Sequence, residues 1–312
     1  MKKIILLPVV GFLFTALFSA DAQTLYVSCW NSGLGNGSIA TIAAGGSVGT
    51  FATGLNDPMG LTFDSSGNLY EVETGSGNNA GYINEYSAAQ VASGGGTPTV
   101  FASGFTTPYG LTFNSTGNLY EADESSGDSL HVFTPPSGSG TTISLNHNPG
   151  QIAFDGSGDL YIANISRGNL SILAAGGSLT DYDPSGFAGH PYGLAFNSTG
   201  NLFISSDTGD IYEYAGGNIS SGSAITFATG LDHPAGLTFD SVGDLFEVDS
   251  GSGKILEFKN NEGTLDSTPT PYASGLNDPT FIAFGPTEPV PEPSILALAG
   301  LGGFSLLCRR RR

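Results

Sequence analysis

The sequence predicts an all-β fold, a closed ring of six four-stranded antiparallel sheets forming a six-bladed β-propeller, and three observations predict it. A stretch at Asp57–Tyr70 recurs as Thr107–Tyr120, Asn148–Tyr161, His190–Phe203 and His233–Phe246, with a truncated copy at Asp278–Gly285. The prolines that mark the copies, Pro58, Pro108, Pro149, Pro191, Pro234 and Pro279, stand 50, 41, 42, 43 and 45 residues apart, a period suited to one multi-stranded blade. The body between the two ends holds no run of apolar residues at helical spacing.

Each copy supplies an innermost strand, a turn and a second strand, and the intervening residues add two more. In the second unit the expected strands are Gly110–Asn114, Asn118–Asp123, Ser129–Phe133 and Thr141–Leu145. The turn Asn114-Ser115-Thr116-Gly117-Asn118 opens on an Asx residue and places Gly where φ is positive, which suits a type I turn with a bulge. The repeated Asp and Asn of these turns read as turn chemistry rather than as ligands, because no single site could use five copies. The first strands of the body, Thr24–Trp30, Ser38–Ile42 and Val48–Ala52, match the second, third and fourth strands of a blade whose innermost strand is missing. Phe281–Phe284 is an innermost strand with nothing after it. The two fragments make one blade, so the ring is expected to close by pairing its ends, leaving only short protected edges.

The two ends carry addresses. Met1-Lys2-Lys3, the apolar run Ile4–Phe18 and Ala20-Asp21-Ala22 read as a signal peptide over residues 1–22, with cleavage expected before Gln23. The propeller then occupies residues 23–286. Residues 287–312 form a tail in which Pro291, Glu292 and Pro293 precede thirteen mostly apolar residues, Ile295–Leu307, and the cluster Arg309–Arg312. Thirteen residues are short for a membrane span, though snorkelling arginines extend it, and the arginines favour the cytoplasmic side.

Composition excludes some partners. Residues 23–287 hold 25 Asp and Glu against Arg167, Lys254 and Lys259. Such a surface repels phosphate backbones and argues against nucleic-acid binding. A solvated acidic surface is the plain reading and weak association of a divalent cation the alternative. Cys29 stands alone in the body, Cys308 lying in the tail, so blade packing rather than a cross-link must stabilise the ring.

The tail, Val290-Pro291-Glu292-Pro293 with its apolar segment and arginines, resembles a PEP-CTERM sorting signal. The resemblance implies a Gram-negative exporter and an exosortase-type membrane protease that cuts near the Pro-Glu-Pro. The body would then be released or passed to the cell surface, often in organisms that make exopolysaccharide. A plain membrane anchor is the alternative. In either case contact with the membrane runs only through this tail. The body, through Pro58–Leu61, Pro108–Leu111, Pro191–Leu194, Pro234–Leu237 and the following Gly-Asn-Leu-Tyr, resembles NHL-repeat, SMP-30/gluconolactonase-like and streptogramin lyase propellers. The resemblance implies the fold over nearly the whole mature chain and says little of activity, because such folds host unrelated functions.

That resemblance also locates where ligands would sit. In the lactonase-type enzymes the middle position of Pro-x-Gly often carries an Asp or Asn metal ligand, and in the related amidating lyases a His. The positions here are Met59, Tyr109, Gly150, Tyr192, Ala235 and Thr280, none a good zinc or calcium ligand. No cofactor is therefore expected, calcium being the divalent cation the acidic residues could still accept. The same face should gather Met59, Tyr109 and Tyr192 near the axis with Asp57, His190, His233 and Asp278 beside them. Aromatic rings with polar neighbours stack on sugars and peptide side chains; ordinary channel packing is the alternative.

Three carboxylate pairs, Glu71 and Glu73, Glu121 and Asp123, and Glu247 and Asp249, alternate on second strands and so share a strand face. They could serve acid–base chemistry or bridge a cation between blades. The preferred reading is structural, the second acid of each pair accepting backbone N–H bonds from the next loop. The serines lie in turn motifs, and no phosphate loop or His/Cys cluster is present. The sequence reads best as an exported binding or structural module at the cell surface or in the matrix, with polysaccharide or surface proteins as partners. A lactonase-like hydrolase or a lyase acting in the central channel is the alternative.

Overall fold

The structure, a computed structural model, describes residues 23–31, 35–75, 80–124 and 128–286. The signal peptide, Pro291, Glu292 and Pro293 and the apolar tail segment lie outside the described residues. Gln23–Pro286 forms one compact unit. Among the described residues no helix is long and apolar enough to cross a membrane.

Six four-stranded antiparallel sheets make the ring. Five blades run in simple order from an innermost strand outward, starting with Pro58–Phe63, Pro108–Phe113, Pro149–Phe154, Pro191–Phe196 and Pro234–Phe239. The sixth has the order Pro279–Phe284, Leu25–Cys29, Gly37–Ile42, Val48–Leu55, so the two ends of the body close the ring as expected. Leu25 faces Phe284, Tyr26 faces Ala283 and Val27 faces Ile282 in this closing pair. The longest proline spacings have a local cause. The first blade carries an extra helix, Ala88–Ala92, opened by a capping box of Ser87 and Gln90, and the fifth an extra hairpin of Asn260–Asn261 with Thr264–Leu265.

The turn chemistry is as the sequence predicts. The Asp64 carboxylate accepts the backbone N–H groups of Ser66 and Asn68 at 2.9 and 2.8 Å, and Gly67 adopts φ of 85°. Asn114, Asp155, Asn197 and Asp240 make the same paired bonds in the next four blades.

Blades are joined by one repeated aromatic contact. The ring opening each second strand meets, edge to face, the phenylalanine that ends the innermost strand of the next blade. The six pairs are Tyr26 with Phe63, Tyr70 with Phe113, Tyr120 with Phe154, Tyr161 with Phe196, Phe203 with Phe239, and Phe246 with Phe284, at 4.9 to 5.3 Å between centroids. The recurring Leu-(Tyr/Phe) and Leu-Thr-Phe segments of the sequence are therefore the two halves of one interface. Edge-to-face pairs at this separation add about 0.5–1.5 kcal/mol each beyond the area they bury.

Closer to the axis the innermost strands touch through glycine. A Cβ added at Gly110 would stand 2.3 Å from the Gly150 carbonyl oxygen, and one at Gly60 would stand 2.4 Å from that of Tyr109. The neighbouring backbone cannot yield as a side chain would. Gly110→Ala should therefore lower stability by about 1–3 kcal/mol, read as an earlier urea midpoint with unchanged slope; an unaltered midpoint would show that the strands are not held this close.

Candidate axial ligand pocket

A pocket of about 330 Å³ opens at the end of the ring where the prolines lie. Two rows of residues build it. The first is the position after each blade proline, which contributes Met59, Tyr109, Tyr192, Ala235 and Thr280 to the wall. The second is the residue that follows each second strand, which contributes Trp30, Asp207 and Ser250.

One hydrogen bond fixes the two rows against each other. The residue after the second strand donates its backbone N–H to the carbonyl of the residue before the blade proline. The bonds run from Trp30 to Asp278 at 2.9 Å, Glu124 to Thr107 at 2.9 Å, Ile165 to Asn148 at 3.1 Å, Asp207 to His190 at 3.1 Å, Ser250 to His233 at 3.3 Å and Thr74 to Asp57 at 3.4 Å. Asp57, His233 and Asp278 adopt positive φ of 52°, 54° and 44°, a region in which Asp and His are among the better-tolerated side chains. Their presence before the prolines has this backbone cause.

The seven candidate residues therefore separate. Met59, Tyr109, Tyr192 and His233 line the pocket, whereas Asp57, His190 and Asp278 do not. His190 stays close to it through Asp207, whose carboxylate accepts the His190 backbone N–H and pairs with Nδ1, both at 2.7 Å. His233 is exposed, with Nδ1 3.0 Å from Asp232. Tyr109 meets Phe281 edge to face at 5.2 Å, so Phe281 is a further aromatic member of the wall. Trp30, Asp207, Ser250 and Phe281 are among the wall residues the sequence reading did not nominate. Counting one position beyond each second strand would have found the first three.

Partial burial raises the Asp207 carboxyl, but hydrogen bonds and charge from His190 outweigh it and hold Asp207 below its usual range. The tyrosines move the other way. Burial pushes the Tyr109 phenol up, helped by Tyr192 and by the charge of Glu124, and burial with the charges of Asp207 and Glu124 does the same to Tyr192. Both phenols stay neutral at ordinary pH, and the mouth of the channel is an electronegative place. Among the described residues no group of three or more His, Cys, Asp or Glu could hold a metal ion.

The carboxylate pairs lie apart from this pocket. Their second members are tie points: Asp123 accepts the N–H groups of Thr106 and Thr107 at 3.0 and 2.7 Å, Glu73 that of Asn56 at 2.5 Å, and Asp249 that of Asp232 at 2.6 Å. The segment held is the one entering the same blade, not the next loop as the sequence reading expected, because antiparallel pairing returns the end of the second strand to the start of the first. The first members, Glu71, Glu121 and Glu247, are wholly buried. Asn84 serves one oxygen of Glu71, neither oxygen of Glu247 has a partner, and the Tyr109 amide near Glu121 falls outside hydrogen-bond geometry. Burial first, and then the neighbouring acid, push all three carboxyls well up. Each binds its proton more tightly folded than unfolded. The stability this lends is present in acid and is lost as pH rises from the ordinary carboxylate range through the raised folded value. Glu121→Gln and Glu247→Gln should accordingly raise the thermal midpoint at pH 7 to 8 and change it little near pH 4. Equal effects at both pH values would show that these carboxyls do not titrate with folding.

The comparisons add an address and a fold. The profile of the PEP-CTERM protein-sorting motif matches residues 289–312. No curated protein matches the chain. A streptogramin B lyase structure is similar with a TM-score of 0.59 and 16% identity, covering 84% of this chain and 92% of the other. A catalytically inactive variant of virginiamycin B lyase from Staphylococcus aureus, solved with quinupristin, gives 0.57 and 16%, covering 82% and 86%. The periplasmic gluconolactonase of Pseudomonas aeruginosa gives 0.58 and 14%, covering 86% and 100%. At these identities the likeness is one of fold. The motif implies an exported chain, a tail anchored in the membrane before processing, and recognition by an exosortase. The chain is a six-bladed β-propeller of the kind seen in these lyases and lactonases, and it bears the PEP-CTERM sorting motif at its C-terminus.

Proposed function

We propose that the protein is an exported binding module that presents its axial pocket at the cell surface or in the extracellular matrix, where polysaccharide or a surface protein supplies the ligand. The observation that carries this reading is the wall of the pocket. Trp30, Met59, Tyr109, Tyr192 and Phe281 offer apolar and aromatic surface, and Asp207, His233, Ser250 and Thr280 offer a few polar groups. Pockets of a few hundred Å³ built this way bury most of a small ligand and orient it with few hydrogen bonds. A ligand of that size, or the end of a chain, fits the space.

Trp30 is the sole tryptophan of the chain and lines the pocket, so its fluorescence reports occupancy directly. Fragments of the producing organism's extracellular polysaccharide should shift the Trp30 emission, and Tyr109→Ala with Tyr192→Ala should weaken that binding by about tenfold or more. Binding that survives the double substitution unchanged would remove the pocket from the proposal.

A second reading is a hydrolase or lyase, favoured by the imidazole of His233 in the wall and the His190–Asp207 pair beside it. An imidazole within reach of a bound substrate can act as a general base. Turnover of a lactone or of a streptogramin that falls at least a hundredfold in His233→Ala would support it. Turnover that persists in that variant would discard His233 as the base.

A further inference from the structure

We propose that the group this pocket receives is an ammonium cation, seated among Trp30, Tyr109 and Tyr192 with Asp207 and Glu124 as its counter-charges. The inference rests on the binding reading above and names the chemistry of the ligand. Three features of the wall carry it. Indole and phenol faces are electron-rich and attract a cation seated over them, with tryptophan the best partner. The wall holds the only tryptophan of the chain and two of its tyrosines. Secondly, a fixed carboxylate stands in the same wall. Asp207 is anchored by His190 through both oxygens, so its charge is already in place before a ligand arrives. Glu124, held at 2.9 Å by the Asn148 side-chain amide, adds a second negative charge felt by Tyr109 and Tyr192.

Thirdly, no lysine or arginine among the described residues competes for that field; the basic groups nearby are the imidazoles of His233 in the wall and of His190 on Asp207. Arg167 is 3.3 Å from His147, Lys259 is paired with Asp244 and Glu257, and Lys254 lies in the third strand of blade five; none of the three lines the pocket. The carboxylate charges that add to burial in raising the phenols would also draw an ammonium group in. A neutral ligand would gain nothing from the Asp207 charge, and an anion would be repelled.

An ammonium group could belong to a free small molecule or to an amino sugar of a matrix polymer, and two matched pairs separate these sources. Choline is compared with its uncharged isostere 3,3-dimethyl-1-butanol, and oligomers of glucosamine with oligomers of N-acetylglucosamine. Each is titrated into the full chain in non-ionic detergent while Trp30 emission is followed. The charged member of one pair should bind about tenfold tighter than its neutral partner, and that pair names the source. Asp207→Asn and, separately, Glu124→Gln should erase most of the difference between charged and neutral members, and added salt should weaken only the charged member. Neutral members that bind as well as charged ones would overturn the cation proposal and leave the binding reading standing. Failure of all four, while matrix polysaccharide still shifts Trp30, would also overturn it. Failure of all four together with the polysaccharide would overturn both.

Discussion

The edge-to-face contact between a second-strand ring and the next blade's phenylalanine is the interaction on which the rest of the molecule depends. Among the described residues the blade strands pair only within a blade, so side-chain packing and the glycine contacts near the axis set the spacing and tilt between blades. Here one geometry is used six times with centroid separations that differ by only 0.4 Å between the shortest and longest pair. The sixth contact, Phe246 with Phe284, and the closing contact, Tyr26 with Phe63, place the C-terminal strand and the N-terminal strands on either side of the seam. Closure by Leu25–Cys29 against Pro279–Phe284 thus preserves the same spacing that operates within the chain.

Uniform spacing has a consequence at the axis. It brings innermost strands near enough that four of the six blades carry glycine after the Pro-x step, Gln151 and Phe281 standing there in the other two, and it makes each blade present the same two positions at the mouth. The backbone bond from the residue after the second strand to the residue before the proline recurs in all six blades. The scaffold therefore supplies twelve equivalent places, and chemistry depends only on what occupies them. The left-handed backbone at Asp57, His233 and Asp278 belongs to this scaffold.

The fold was legible because it is written repeatedly. Proline spacing, the Asx-Gly turn and the split sixth unit each follow from local sequence and agree with one another. The pocket was half legible. Met59, Tyr109 and Tyr192 could be found because they interrupt a repeated motif, so a change from blade to blade is visible against its neighbours. Trp30, Asp207 and Ser250 follow strands whose ends are harder to fix, and the loops after them vary in length and composition. Asp57, His190 and Asp278 looked like site residues because their types are chemically versatile, yet backbone conformation and a partner one row away account for their positions. Whether the first acid of each second-strand pair would find a partner was not legible, since that depends on what the third strand of the same blade places opposite it: Asn84 for Glu71, but Leu256 for Glu247.

The asymmetry of the mouth, rather than its symmetry, is what makes a pocket there. Were every Pro-x position large, the channel end would be plugged; were every one small, it would be a wide polar hole. Tyr109 and Tyr192 line the wall together with the smaller Ala235 and Thr280, and Phe281 meets the Tyr109 ring edge to face. At Gly150 the space a side chain would need is taken by Ile165, so blade three closes that sector with an apolar group from the second row. The charged groups are distributed with the same bias. Asp207 and Glu124 belong to blades four and two, on the tyrosine-bearing side, whereas the corresponding residues of blades one, three and five are Thr74, Ile165 and Ser250. Negative charge is thus concentrated on the tyrosine-bearing blades, with Trp30 and Phe281 of blade six completing the aromatic wall, and a ring that served only as a spacer would have no reason to hold an anchored carboxylate there.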